Sequence, residues 1–412
     1  MRGFFEIEKT APYKSEKGVH SCVSCGMYKY VLTPRMKPYG KFKEGIMVIG
    51  ESPGENEDKR GKPWQGKAGR ALQRKFKELG ISLFDDCISI NATSCRAIDK
   101  KGANRTPTEF EIACCRQKVI NAAKHYKPKV IILLGGVALS SLIGYRWKSN
   151  LGGIMKWRGW TIPDGDYNAW VCPTFHPSFI ERQEEKNEVE VIWTSDLKQA
   201  FGRASDPFPG IGKIDDCVHI VKDEREVETL LKDLNKGKGY MAFDIETTGL
   251  KPYNKNDHEI VSISFCNELN HAYVIPFPTK KKGLQLLKRL LQNPKIEKIA
   301  ANMKFEDNWL NVLHGIEVTP WGFDTMQAAH ILDNRPGITG LKFQSYVQFG
   351  VLGYDESVSP YLKSPNSNTP NRIMELVNDR RSFDRLLLYN GIDSLMTYRL
   401  ALLQMIEFER GK

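Results

Sequence analysis

Residues 46–69, IMVIGESPGENEDKRGKPWQGKAG, constrain the fold more than any other stretch of the chain. The apolar run Ile46-Met47-Val48-Ile49-Gly50 reads as a strand buried on both faces, and such strands belong to parallel sheets covered by helices. Glu51-Ser52-Pro53-Gly54 then turns the chain at the strand's carboxyl end, the edge of an open α/β sheet where ligands collect. Gly61, Gly66 and Gly69 let backbone approach a neighbour closely before a basic helix begins near Ala68. An ordinary strand–loop–helix corner would carry the same strand and glycines. The full order G-E-x-P-G, E-D, G-K-P-W-x-G-K-A-G is far more specific.

Three further segments repeat the strand signature: Cys87 to Asn91, Lys129 to Gly135, and Ala169 to Phe175, which runs into His176-Pro177-Ser178. Cys22-Val23-Ser24-Cys25 is a C-x-x-C that a zinc knuckle, a redox pair or an iron–sulfur ligand would each satisfy. Cys95 follows a predicted strand, and Cys115 opens a predicted helix after Asn104-Arg105-Thr106-Pro107. Cys114 adjoins Cys115, and the Ile-Ala-x-Cys-Arg context favours Cys115. Cys87 and Cys172 lie in apolar strands and read as core. The amino-terminal MRGFFEIEKTAPYKSEK lacks the apolar centre of a secretory signal. The thiols are therefore expected in a reducing compartment, where clustered cysteines bind metal more often than they pair.

Taken in order over residues 20–200, these motifs resemble the family 4 uracil-DNA glycosylases, the iron–sulfur members of their superfamily. The resemblance implies an αβα sandwich around a mainly parallel sheet. It implies a [4Fe–4S] cluster on Cys22, Cys25, Cys95 and Cys115, because four thiolates are what such a cube needs and the split second pair does not suit zinc. It further implies that Asn91 reads the uracil edge, one amide offering both donor and acceptor. Trp64, where the family usually has Phe, would stack on the flipped base. His176 would donate a hydrogen bond to the oxygen that gains charge as the glycosidic bond breaks. Glu51 would position water or stabilise the oxocarbenium sugar, while Glu57 and Asp58 shape the loop. Trp64 is larger than Phe, Gln65 replaces an apolar neighbour, and the basic insertion Ala97 to Ala103 lengthens one loop. These departures keep an alternative open: a glycosylase fold that clamps DNA or tethers a polymerase without cutting a base.

Gly202 to Gly212, GRASDPFPGIG, has no periodicity and reads as a linker. Beyond it, a strand Val218 to Val221 and a helix through Leu234 open a new unit. In Met241 to Leu250, MAFDIETTGL, Asp244 and Glu246 lie two apart on a strand, so both face one side. Two carboxylates there repel unless a cation neutralises them, and in phosphoryl chemistry that is usually a Mg²⁺ pair. A strand Ile260 to Phe265 follows, then Ile299 to Asp307, Phe323-Asp324-Thr325-Met326, and a helix with Tyr389 and Asp393 at i, i+4 on one face.

The second set, over residues 217–412, resembles the DEDDy 3′–5′ proofreading exonuclease domains of family A DNA polymerases. It implies an RNase H-like fold with a mixed sheet and two divalent ions, Mg²⁺ or Mn²⁺, on Asp244, Glu246, Glu306 and Asp393. Tyr389 would orient the attacking water, and Asp324 would support the site. Glu306 stands at the usual Asp position; Asp307 is expected on another face of the helix.

The domain expectation is therefore 1–203 glycosylase-like, 204–216 linker and 217–412 exonuclease, both domains α/β. The formal net charge of +11 is dispersed rather than gathered in a tail, which fits a polyanion-binding surface. No apolar stretch of about 18 residues occurs, so no membrane span is expected. Together these features predict a replication or repair protein of phage type. Its expected location is the cytoplasm, that of the host if viral. It would act on single-stranded DNA or 3′ ends, including uracil-containing DNA, beside a DNA polymerase subunit.

Overall fold

The computed structural model describes residues 21–411 apart from 148, 184–186, 211, 254–257 and 367. The amino-terminal stretch read for a secretory signal lies outside the described residues. These divide into two compact units. One runs as far as residue 210 and takes in 346–352; the other comprises 212–345 and the residues from 353 on.

In the first unit, β1 (Ile46–Gly50), β2 (Cys87–Asn91), β3 (Val130–Leu134), β4 (Ile162–Asp164) and β5 (Ala169–Thr174) form a sheet in the order β2-β1-β3-β5-β4. Every pair is parallel except β4 with β5. β1, β3 and β5 are buried along their whole length, as unbroken apolar runs require. Ile46 and Val48 pack with Leu72 and Phe76 of the helix Lys67–Glu78 and with Trp193 and Leu197 of the helix Asn187–Gly202. The helix Glu109–Tyr126 buries Ile112, Cys115, Val119 and Ala123, an apolar stripe at three- and four-residue steps.

That helix begins six residues before Cys115, so the expectation that Cys115 opens it needs correction. The signal was Thr108-Glu109-Phe110-Glu111. The Thr108 hydroxyl accepts from the Glu111 amide at 3.3 Å, and the Glu111 carboxylate accepts from the Thr108 amide at 2.8 Å. This reciprocal cap fixes the helix start and carries Cys115 into the second turn.

In the second unit, β6 (Val218–Ile220), β7 (Gly239–Thr247), β8 (Ile260–Glu268), β9 (His271–Pro276), β10 (Ile296–Ala300) and β11 (Trp321–Asp324) form a mixed sheet in the order β11-β10-β7-β8-β9-β6. β7, β8 and β9 are an antiparallel meander, and the flanking pairs are parallel. Met241, Phe243 and Ile245 of β7 face a core with Leu287, Leu290, Trp309 and Leu310, so the alternate residues Asp244 and Glu246 face the other side. Against that side lies the helix Arg380–Arg410, capped by Asp379 accepting from the Ser382 amide at 2.8 Å. It is longer at both ends than the apolar stripe alone suggests.

Candidate functional site

Strand pairing positions the first carboxylates. Asp244 and Glu246 sit opposite Ser264 and Ser262 of β8, small partners that leave room above the sheet. Into that space the helix Arg380–Arg410 brings Asp393. One oxygen from each of Asp244, Glu246 and Asp393 lies within 4.8 Å of the other two. Glu306, in the first turn of the helix Met303–His314, lies outside that trio. It is 2% exposed, and among the described residues its Oε2 has no hydrogen-bond partner. Burial pushes the carboxyls of Asp244, Glu246 and Glu306 well above the usual range, and their mutual repulsion adds to it. Buried acids with an orphaned oxygen are a donor set that fits hard divalent cations.

The neighbours divide between support and contact. Asp307 accepts from the Val318 amide at 3.1 Å, a backbone duty away from the trio. Asp324 accepts from the amides of Asn302, Met303 and Met326 at 3.2, 3.0 and 2.9 Å, and so holds the chain that enters the Glu306 helix. Tyr389 and Asp393 share a helix face, as their spacing requires. Three residues of the site carry no motif. Asn390 donates to Asp244 Oδ2 at 2.7 Å and accepts from the Ser262 hydroxyl at 3.0 Å. Tyr354 donates to Asp393 Oδ1 at 2.6 Å, and Lys342 bonds to both oxygens of the same carboxylate. On the Tyr389 stripe, Arg385 and Arg381 lie one and two turns earlier, beside a cavity of 440 Å³ lined by Arg380, Arg381, Asp384 and Arg385.

In the first unit, the end of β1 meets Trp64 and Asn91. A methyl on Gly50 would lie 2.5 Å from Asn91 Oδ1 and 2.9 Å from the Trp64 ring, so these two side chains share one small space. Trp64 is 6% exposed and holds a left-handed backbone, φ 60°, which is rare for an aromatic residue. Its backbone is fixed from two sides: Gln73 donates to its carbonyl at 2.9 Å, and any Cβ on Gly69 would collide with it. Glu57 accepts from the amides of Gln65 and Gly66 at 2.7 Å each, and Asp58 accepts from Leu32 and Thr33 at 3.1 and 2.7 Å, so both acids shape the loop.

The His176 ring lies 5.9 Å from Trp64, centroid to centroid. Its Nδ1 accepts from the Ser178 amide at 3.2 Å, which places the ring proton on Nε2. Burial, then the charge of Arg182, lowers its pKa to about 4, so the ring is neutral at pH 7. Glu51 is pushed up by burial, and Arg182 opposes that shift. Arg182, six residues after His176, thus acts on both groups, although it belongs to no sequence motif.

The thiols gather beside this unit's sheet. Cys22–Cys25 is a single helical turn capped by Ser21 and closed by Gly26 at φ 70°. Cys95 Sγ accepts from the Arg35 amide at 3.3 Å. Burial pushes the Cys115 thiol up to about 11, and Cys25, Cys22 and Cys95 all add to the shift. Burial and the charges of Cys25 and Cys22 also raise the Cys114 thiol, which makes hydrogen bonds with Ser24 and Ser21. Among the described residues no three thiols converge within 4.8 Å. A tetrahedral zinc with Zn–S bonds of about 2.3 Å would draw its sulfurs to about 3.8 Å of one another. Among the described residues the thiols lack that spacing.

Known proteins match both units. The uracil DNA glycosylase superfamily matches residues 37–198, and a 3′-5′ exonuclease family matches residues 218–401. The type-4 uracil-DNA glycosylase of Thermotoga maritima is 35% identical over 182 residues, 44% of this chain and 88% of that one. That of Pyrobaculum aerophilum is 31% identical over 193 residues, 46% of this chain and 93% of that one. A DNA polymerase of Bacillus phage SP01 is 23% identical over 401 residues, 89% of this chain and 40% of the polymerase. Among the described residues no helix is long and apolar enough to cross a membrane. Through its first unit the chain belongs to the type-4 uracil-DNA glycosylase family, and behind that unit it carries a 3′–5′ exonuclease domain.

Proposed function

We propose that this chain edits DNA in two ways, by Mg²⁺- or Mn²⁺-dependent removal of nucleotides from 3′ ends and by excision of uracil. The observation that carries the reading is the convergence of Asp244, Glu246 and Asp393 within 4.8 Å in a buried site. In this reading those three, with Glu306, hold the cations, and Asp307 is structural. A bound metal pair would activate the attacking water and stabilise the leaving 3′ oxygen. Tyr389 orients that water, since a phenol is a poor base but a good hydrogen-bond partner at neutral pH. The Arg381–Arg385 stripe leads toward the carboxylates and gives phosphates a cationic path. The match to a phage DNA polymerase supports work beside a DNA polymerase. We place the domain boundaries at 1–203 and 217–412, with 204–216 as the joint.

For the base chemistry, Asn91 reads the uracil edge, Trp64 stacks on the base, and His176 donates from Nε2 to the oxygen that gains charge. Glu51 serves the sugar or the water. Cys22, Cys25, Cys95 and Cys115 would hold a [4Fe–4S] group that ties Cys22–Cys25 to the Glu109–Tyr126 helix. Because His176 is already neutral, its donor persists as pH falls from about 8 to about 5. Excision should instead decline as Glu51 protonates, at a pH above the ordinary 4.5. A pH–rate profile checks this; an acid limb that vanishes in Glu51→Gln while residual activity remains is expected.

One observation favours the clamp reading: Trp64 is packed against Gly50 with little exposure. Incubating a uracil-containing strand in EDTA, then cleaving with alkali, decides between the two. Scission at the uracil supports excision. Intact strands from cluster-replete protein that still binds DNA support the clamp. If excision is seen, Gly50→Ala should reduce it by about tenfold or more, because overpacking of 1–3 kcal/mol displaces both Asn91 and Trp64.

A further inference from the structure

Asp393 is partnered differently from the other acids of its cluster. Its Oδ2 accepts from Lys342 Nζ at 2.6 Å, Lys342 also bonds to Oδ1, and Tyr354 donates to Oδ1 at 2.6 Å. Glu306 Oε2, by contrast, has no partner among the described residues. The Lys342 ammonium lies 4.4 Å from the centroid of the Tyr354 ring and 4.2 Å from that of Tyr389, rings that stack at 6.0 Å. Aromatic faces attract a cation but do not trap it. The Lys342 side chain is 32% exposed whereas that of Asp393 is 6% exposed. The ammonium can therefore swing to solvent by side-chain rotation while the carboxylate stays in place.

A divalent ion shared by Asp244, Glu246 and Asp393 would sit against carboxylate oxygens of Asp393 that Lys342 now bonds, placing two cations side by side. We propose that Lys342 is a built-in counter-ion: it holds Asp393 in the metal-free chain, must release that carboxylate for a divalent cation to bind, and so sets the affinity of the site. The inference rests on the exonuclease reading above. Lys342 has a stabilising role when the metal is away and a competing role as it arrives. A merely structural lysine would have the first without the second.

The test is a Mn²⁺ titration of the full chain, followed by the electron paramagnetic resonance of the free ion, with thermal melts in EDTA and in saturating Mg²⁺. Lys342→Met keeps the unbranched stem against the two rings. Its Mn²⁺ dissociation constant should fall by about tenfold, while its melting temperature in EDTA drops below that of the unaltered chain and the gap closes in Mg²⁺. Lys342→Arg, which keeps the charge, should leave the affinity within about twofold. If Lys342→Met does not melt cooperatively, Lys342→Gln takes its place in the titration. Equal or weaker Mn²⁺ binding by the folded neutral variant would overturn the counter-ion role alone. No Mn²⁺ binding by the unaltered chain would overturn the exonuclease reading, and this inference with it.

Discussion

Asp244→Asn should abolish removal of nucleotides from DNA 3′ ends while making the metal-free protein harder to melt. Asp244 is central to the trio, its carboxyl repelled by Asp393 and repelling Glu246 and Glu306. Losing it costs the site a metal ligand, so the rate should fall on the order of a thousandfold or more, equivalent to about 4 kcal/mol of barrier. The same change removes one charge from a buried cluster of like charges, which relieves repulsion when no cation is present. The pH dependence follows from the direction of the shifts. Folded-state pKa values raised above the unfolded ones mean that the folded chain binds more protons. In EDTA its stability is therefore fully present at acid pH and is lost as pH rises above the ordinary carboxylate range. Asp244→Asn should flatten that decline, and Mg²⁺ should suppress it. Melts across pH, with and without EDTA, check both; an EDTA curve that climbs through that range would contradict the assignment.

Cys115→Ser should strip the first unit of iron, whereas Cys114→Ser should not. The two thiols are adjacent on one helix and both feel Cys25 and Cys22, but Cys115 also feels Cys95, whereas Cys114 is hydrogen-bonded with Ser24 and Ser21. A helix turns about 100° per residue, so neighbours cannot share a ligand position. With Cys115 removed, three thiolates remain for a group that needs four, and iron should fall from about four per chain to near zero. The brown colour should go with it. Uracil excision, if present, should fall as the Cys22–Cys25 turn loses its tie to the long helix. Iron and acid-labile sulfide analysis of anaerobically purified variants is the measurement. One zinc per chain without sulfide in the unaltered protein would contradict the cluster.

Much of this was legible because the informative residues obey short-range geometry. A strand of period two puts Asp244 and Glu246 on one face whatever surrounds it, and an i, i+4 pair puts Tyr389 and Asp393 on one helix face. The unbroken apolar runs of β1, β3 and β5 specify buried parallel strands in the same way. Lys342 and Tyr354 were not legible. They come from a stretch without a motif, and their role depends on how the chain packs back over Asp393. Asn390 was hidden for another reason: it adjoins Tyr389 in sequence, but its partners Asp244 and Ser262 are on strands far away in the chain. Arg182 acts on Glu51 and His176 through charge alone, and charge reaches farther than any local pattern. The start of the helix carrying Cys115 is legible in the Thr108–Glu111 cap, a stronger local signal than the cysteine that follows it.

The central claim is that the acids around Asp244 assemble a divalent-cation site that cuts DNA from the 3′ end. It is tested most directly by incubating the full chain with a 5′-end-labelled single strand, in parallel with Mg²⁺, with Mn²⁺ and with EDTA, and resolving products at single-nucleotide steps. The account predicts a ladder that shortens from the 3′ end with either metal and is absent in EDTA and in Asp244→Asn. An undegraded strand with both metals, from protein in which calorimetry detects no divalent binding, would contradict it.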